Sequence, residues 1–173
     1  MEAAARYARA ERRGGAGMVG SSDMKRFLLV TLALAGTVGS AHAADIAFAG
    51  PPGWDKASVA PSTDTARSVQ QWQHSGDVQS LIVIRDTSTS YDDALAAIAK
   101  NLSSNQIKPA TDADRACAGK TAHVIEFTTG PVTINRIVVP DGSGIVTITY
   151  TRPAGAKFDG DVKKSEEAYC TGS

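Results

Sequence analysis

A hydrophobic leader at residues 24–43 constrains this chain most, because it decides which residues fold and in which compartment. Residues 24–26 (MKR) form a short basic start, and residues 27–39 (FLLVTLALAGTVG) form an apolar run without charges. Residues 40–43 (SAHA) then provide the small residues of an A-x-A cleavage site. The apolar run is shorter than the roughly 20 residues that span a bilayer as a helix. The sequence therefore predicts a cleaved signal peptide and a periplasmic or secreted protein.

Two further segments follow from this leader. Residues 1–23 are rich in Arg, Ala and Gly and lack apolar periodicity, so we predict that they are an over-extended gene start. Residues 44–173 are predicted to form a single domain, which is long enough to bury a core. No cysteine follows the apolar run of the leader directly, so we expect no lipid anchor on an N-terminal cysteine and no stable membrane attachment after cleavage.

The charge of the exported part limits its partners. Residues 44–173 contain 12 Lys and Arg against 15 Asp and Glu, which is a net charge of −3. No cluster of basic residues remains after the leader is removed. This composition argues against nucleic acid or an anionic membrane as the main partner.

Two cysteines, Cys117 and Cys170, remain after cleavage. A pair of cysteines in a small exported protein is most simply a disulfide. A metal site needs more ligands than this pair provides, and a redox-active pair is typically spaced C-x-x-C. We therefore predict a structural disulfide.

Alternating and apolar segments predict a sheet. Residues 81–84 (LIVI) are apolar at consecutive positions, which is typical of a strand covered on both sides. In the last strand Val146, Ile148 and Tyr150 share one face and three threonines share the other, which indicates one drier and one wetter face. Residues 105–119 are polar and are predicted to be a connection. The predicted strands are residues 45–50, 69–74, 78–85, 121–128, 132–139 and 145–152.

Two helices complete the pattern. Ser90 three residues before Asp93 resembles a capping box, and apolar residues at helical spacing follow, so residues 91–104 are predicted to be helical. Phe158, Val162 and Tyr169 define one side of a final helix. The predicted fold class is α+β, with an antiparallel sheet of about five to six strands and helices packed on it.

Candidate chemistry is sparse. His123 and Glu126 would point to opposite faces of a strand, because side chains alternate along it. His74 lies in a predicted turn, and the acidic pair Asp92–Asp93 is explained by the first turn of a helix. No nucleophile elbow, phosphate-binding loop or dinucleotide fingerprint occurs. We therefore assign no catalytic, cofactor-binding or metal-binding residue.

Four aromatic residues are the best candidates for a binding surface, although aromatic residues in a small protein are more often core. They are Trp54, Trp72, Tyr91 and Tyr150.

The chain also resembles the PsbP-like α/β/α sandwich family. The resemblance lies in residues 48–54 (FAGPPGW), 81–84, 90–95, 119–127 (GKTAHVIEF) and 145–153 (IVTITYTRP). It implies a central antiparallel sheet between helices and a binding or assembly-support role without enzymatic activity. The cysteine pair is not part of the family pattern, and no ion-binding residue is transferred.

These observations favour an exported, non-enzymatic accessory domain that binds a protein or a small ligand through a sheet face or an aromatic edge. One alternative is an envelope hydrolase with an atypical site near His123. The other is a small extracellular inhibitor or virulence-associated binding module.

Overall fold

A seven-stranded antiparallel sheet organises the protein, in the spatial order β1-β2-β3-β7-β6-β5-β4. The computed structural model describes residues 46–60, 63–76 and 78–172. All of these belong to the compact unit Thr37–Ser173, and the predicted leader and upstream extension lie outside the described residues. The elements are β1 (Asp55–Lys56), β2 (Arg67–Gln73), β3 (Ser80–Asp86), α1 (Tyr91–Ser104), β4 (Thr111–Cys117), β5 (Lys120–Thr129), β6 (Val132–Asp141), β7 (Gly144–Pro153) and α2 (Gly160–Thr171).

The predicted fold class is wrong in its strand count and its balance. About 43% of the described residues are in strands and about 21% in helices, so the fold is dominated by a seven-stranded sheet and is not the five- to six-stranded sandwich expected. The polar connection predicted at residues 105–119 contains β4. This strand pairs only with β5 at the edge of the sheet, and its exposure permits the polar sequence TDADRAC.

The first predicted strand, residues 45–50, is also wrong. Its described residues, 46–50, form no strand, and the short β1 that pairs with β2 begins later, at Asp55. Ile46 and Phe48 are nevertheless buried, because they pack on the sheet as an irregular segment. A Cβ atom at Gly50 would collide with the indole of Trp72. The segment therefore lies too close to the sheet at this position for any residue other than glycine.

The helix α1 and the meander β5-β6-β7 confirm their predictions. The helix covers the predicted residues, and the Ser90 hydroxyl oxygen accepts a hydrogen bond from the Asp93 backbone N–H at 3.2 Å. Asp92 and Asp93 lie in its first turn, as the interaction with the helix dipole predicts. In the final helix, Val162 and Tyr169 lie inside α2, but Phe158 precedes its N-cap, Asp159.

The two faces of the sheet carry different helices. Helix α2 and the segment containing Ile46 and Phe48 cover one face, which we call the α2 face, and it holds the largest buried cluster. Helix α1 packs on the opposite face, which we call the α1 face. In β7 the residues Val146, Ile148 and Tyr150 are buried on the α2 face, while the threonines between them are half-buried on the α1 face. The predicted drier and wetter faces are therefore confirmed.

The predicted disulfide is present and joins Cys117 at the end of β4 to Cys170 in the last turn of α2. Beside it the Ala118 backbone N–H donates to the Cys170 carbonyl oxygen at 2.6 Å. Within the described residues, neither helix has the length and hydropathy needed to cross a bilayer.

Candidate functional site

Helix α1 covers only part of its face of the sheet. Its apolar side chains pack on Ile125 and Phe127 of β5, on Val138 of β6 and on Ile145 of β7. Eight half-buried residues on β2, β3, β7 and the middle of β6 lie on this face outside the buried clusters. We call this surface the open patch; it consists of Val69, Gln71, Ile82, Ile84, Arg136, Thr147, Thr149 and Thr151.

Strand register places the open patch residues in rows across the sheet. Val69, Ile84 and Thr147 are directly opposite one another on neighbouring strands. The next row runs from Gln71 through Ile82 and Thr149 to Arg136. Apolar, hydroxyl and amide side chains therefore form a flat surface of mixed polarity. The expectation that residues 81–84 are covered on both sides is wrong, because only Leu81 and Val83, on the α2 face, are fully buried.

Arg136 lies at the border between the open patch and the area under α1. Its Nε donates to the Thr149 hydroxyl oxygen at 3.3 Å, which draws the guanidinium group towards β7 and away from β5. Among the described residues no carboxylate lies within ion-pair distance of it. Burial lowers the pKa of the Arg136 side chain from its ordinary value.

The four predicted aromatic residues do not form an exposed surface. Trp54, Trp72 and Tyr150 are buried in the core of the α2 face, with Tyr150 fully inaccessible. Tyr91 is half-buried on the other side of the sheet, where it packs beside Ala94. The predicted aromatic binding surface is thus wrong for the first three residues, whose role is packing. Their ring contacts include Trp54 with Tyr150, at 6.1 Å between centroids.

His123 is held by the two carboxylates of the edge strand. Its Nδ1 lies 2.6 Å from Asp114 and its Nε2 lies 2.8 Å from Asp112. Glu126 points to the opposite face, as the strand spacing predicts. Both ring nitrogens are therefore in contact with carboxylates, and within the described structure neither is hydrogen-bonded to a hydroxyl or thiol that could act as a nucleophile.

Within the described structure His123 belongs to no metal-ligand cluster, and it lines neither of two shallow depressions on the surface. In the described part of the chain, no three His, Cys, Asp or Glu side chains come together as metal ligands would. A shallow depression of about 280 Å³ lies beside β2 and is lined by residues such as Lys56 and Val59. Another of about 300 Å³ lies beside the disulfide. The first depression shares only Val69 with the open patch, and the second shares no residue with it.

Comparison with known proteins gives no family. No family model and no curated protein matches the chain. One solved structure that is similar to it is a Pseudomonas aeruginosa protein of unknown function, described as a candidate regulator. It is 13% identical, with a TM-score of 0.42, over 69% of this chain and 92% of that chain. The resemblance to PsbP-like proteins is tested by none of these comparisons and stays a prediction.

A buried carboxyl group lies under α2, close to the disulfide. Glu166 is 3% exposed, and its Oε2 lies 3.8 Å from a terminal guanidinium nitrogen of Arg115 on β4. Its Oε1 has no hydrogen-bond partner in the described structure. Burial raises the pKa of Glu166 to about 7, although the charge of Arg115 opposes this rise and Glu167 adds to it.

This pKa predicts that stability falls as the pH rises from about 4.5 to 7. In that range the folded protein holds a proton on Glu166 that the unfolded chain has released, so raising the pH favours unfolding. We expect Glu166→Gln to be more stable than the wild type at pH 8, by at most about 3 kcal/mol, and close to it at pH 4.5. Urea unfolding at the two pH values measures this difference. The control is Glu167→Gln, whose side chain is 58% exposed; equal pH profiles for both variants would contradict the assignment.

Proposed function

We propose that this protein is an exported, non-enzymatic domain that binds a protein partner on the open patch. The observation that carries the proposal is that the described residues cover the α1 face only in part. Two isoleucines, Ile82 and Ile84, and Val69 remain half-buried there, although Val83, Ile137 and Ile148 on the other face are fully buried. Partly exposed apolar residues that are contiguous on a flat surface favour a partner that completes their burial.

The shape of the patch favours a protein over a small molecule. Small-molecule sites are concave and enclose most of the ligand surface. The open patch extends over four neighbouring strands, and of the two shallow depressions only the one beside β2 touches it, at Val69. Its mixture of Ile, Thr, Gln and Arg is also typical of a protein interface, in which apolar and hydrogen-bonding groups alternate.

Export is supported by the leader at residues 24–43 and by the disulfide, since cystines persist in oxidising compartments. The hydrolase alternative receives no support from His123, whose nitrogens are both engaged. The inhibitor alternative differs from our proposal only in its partner. It would apply if the captured protein were an enzyme inhibited at one-to-one stoichiometry.

The proposal is tested by capture from the envelope of the cell that makes the protein. We expect the wild type to retain one partner and Ile82→Asn to lose it by about tenfold or more, because the apolar contact is removed. Val78→Asn is the matched control, since Val78 is 57% exposed and lies outside the patch. Equal capture by both variants would contradict the proposed surface. The mass of the purified bait shows whether the leader has been removed after Ala43.

A further inference from the structure

No carboxylate of the described residues pairs with the charge of Arg136 on the open patch. Its guanidinium group is half-buried, and its one hydrogen bond within the described structure is to the neutral hydroxyl of Thr149. The other arginine at this face, Arg67, is paired with Asp86 at 2.8 Å. A guanidinium group has five N–H donors in a planar fork, so most of the donors of Arg136 are not used by the residues that the structure describes.

We propose that the open patch binds a protein segment that places a carboxylate on the guanidinium of Arg136 and an apolar side chain on Ile82. This inference rests on the proposed function and specifies its partner. The two oxygens of a carboxylate can accept two parallel hydrogen bonds from the N–H groups of one guanidinium. Such charge-assisted hydrogen bonds are stronger than those between neutral groups. The surrounding half-buried side chains exclude part of the solvent, which strengthens the pair further.

Strand geometry sets the spacing in the segment. Ile82 and Arg136 lie in the same row, separated by β7. Neighbouring strands are about 4.8 Å apart, so the two anchor points are about 10 Å apart. An extended chain rises about 3.3 Å per residue. Only side chains an even number of residues apart point to the same side of an extended chain. The carboxylate and the apolar side chain are therefore expected two or four residues apart in an extended partner segment that crosses the strands of the sheet.

Two copies stacked patch against patch would not supply this carboxylate to each other. The acidic side chain that borders the patch is Asp86, which is 4% exposed. It already accepts hydrogen bonds from Arg67, Ser88 and Thr89. Burial raises its pKa, but these hydrogen bonds outweigh that effect and hold the pKa of the Asp86 carboxyl well below its ordinary value. Two copies stacked through this face would leave both Arg136 side chains without a carboxylate.

The test selects peptides from a random twelve-residue display library on the full chain, produced with its own leader, and measures their affinities for variants. We expect the selected peptides to share an Asp or Glu two or four residues from an apolar residue. Arg136→Gln is expected to weaken their binding about tenfold or more, and a peptide with Asn or Gln at the acidic position should bind Arg136→Gln and wild type alike. Lys100→Gln is the control, because it removes an exposed positive charge on α1.

The outcomes separate the two proposals. If Ile82→Asn abolishes binding while Arg136→Gln behaves like Lys100→Gln, the open patch binds partners but the carboxylate inference is wrong. If neither variant alters binding, or if the library gives no peptide that depends on the patch, both proposals are wrong. A concentration-dependent dimer that Ile82→Asn disrupts would replace the acidic partner with a second copy. Circular dichroism of each variant confirms that it is folded.

Discussion

Replacing both cysteines, in the variant Cys117→Ala with Cys170→Ala, is expected to lower the free energy of unfolding by about 4 kcal/mol. The two residues are 53 positions apart, so the bond closes a long loop and removes much of the freedom of the unfolded chain. The bond also joins α2 to the edge strand β4. That helix contributes the fully buried Val162 to the core, and a helix released at its C-terminal end would expose this side chain more often.

Guanidinium unfolding followed by tryptophan fluorescence measures this loss, since both tryptophans, Trp54 and Trp72, lie in the core that α2 helps to cover. Wild type unfolded in the presence of a reductant is the control for the change in side-chain volume. If the midpoint of the reduced wild type matches that of the double variant, the covalent tie accounts for the effect. A loss below about 1 kcal/mol in both would show that the remaining contacts hold α2 in place without the bond.

The elements that were predicted correctly are those whose signals are local. Helix α1 has its N-cap at Ser90, acidic residues in its first turn and apolar residues at helical spacing, all within residues 90–104. The meander β5-β6-β7 has glycine at both turns, with positive φ at Gly130 and Gly142, where a side chain would be strained. Such signals depend on neighbours in sequence, so the sequence alone is sufficient to locate them.

The elements that were missed depend on partners distant in sequence or on a single neighbour. β4 lies at the edge of the sheet, pairs with one strand and is exposed, so its sequence TDADRAC can be polar. Its pattern of polar and apolar residues is the same as would be expected of a loop. Asp112 and Asp114 could be matched to His123 only after the β4–β5 register was known. Residues 46–50 show the opposite case, since Ile46 and Phe48 alternate as in a strand but are buried without a strand partner.

The open patch could not be predicted either. Ile82 and Ile84 belong to an apolar run that is typical of a strand covered on both sides. Whether a helix covers them depends on where α1 lies across the sheet, and it lies over β5, β6 and Ile145 at the start of β7. Arg136 carries no signal in its own segment, VTINRIVV, beyond being a charged residue in a strand. Which described side chains lie next to Arg136 depends on the pairing and register of the strands, and no carboxylate is among its ion-pair partners there.

Removing the carboxylate of Glu126 is expected to destabilise the fold by about 3 kcal/mol or more, because it leaves a buried arginine without its counter-ion. The Oε2 atom of Glu126 on β5 lies 3.0 Å from a terminal nitrogen of Arg152 on β7, so the arginine side chain crosses β6 to reach it. The Arg152 side chain is only 8% exposed. Its guanidinium lies 5.7 Å from the ring of Tyr150 and 5.3 Å from the ring of Phe158.

Other contacts of Arg152 determine how the loss should be tested. Its Nε donates to the Ala156 carbonyl oxygen at 3.1 Å, which fixes the loop that leads to α2. In Glu126→Ala this bond and the ring contacts still hold the charge in the core. Urea unfolding should therefore show a large loss for Glu126→Ala and a smaller one for Glu126→Gln, which keeps a hydrogen-bond acceptor.

The decisive comparison is the double variant Glu126→Leu with Arg152→Met. A buried ion pair replaced by apolar side chains of similar volume is often neutral in stability, whereas one partner removed alone is costly. We therefore expect the double variant to recover most of the stability that Glu126→Ala loses. Glu167→Ala controls for the loss of an exposed glutamate. If the double variant is as unstable as Glu126→Ala, the ion pair does not determine the stability of this part of the core. The contacts of the Arg152 guanidinium with Ala156 and the aromatic rings then determine it.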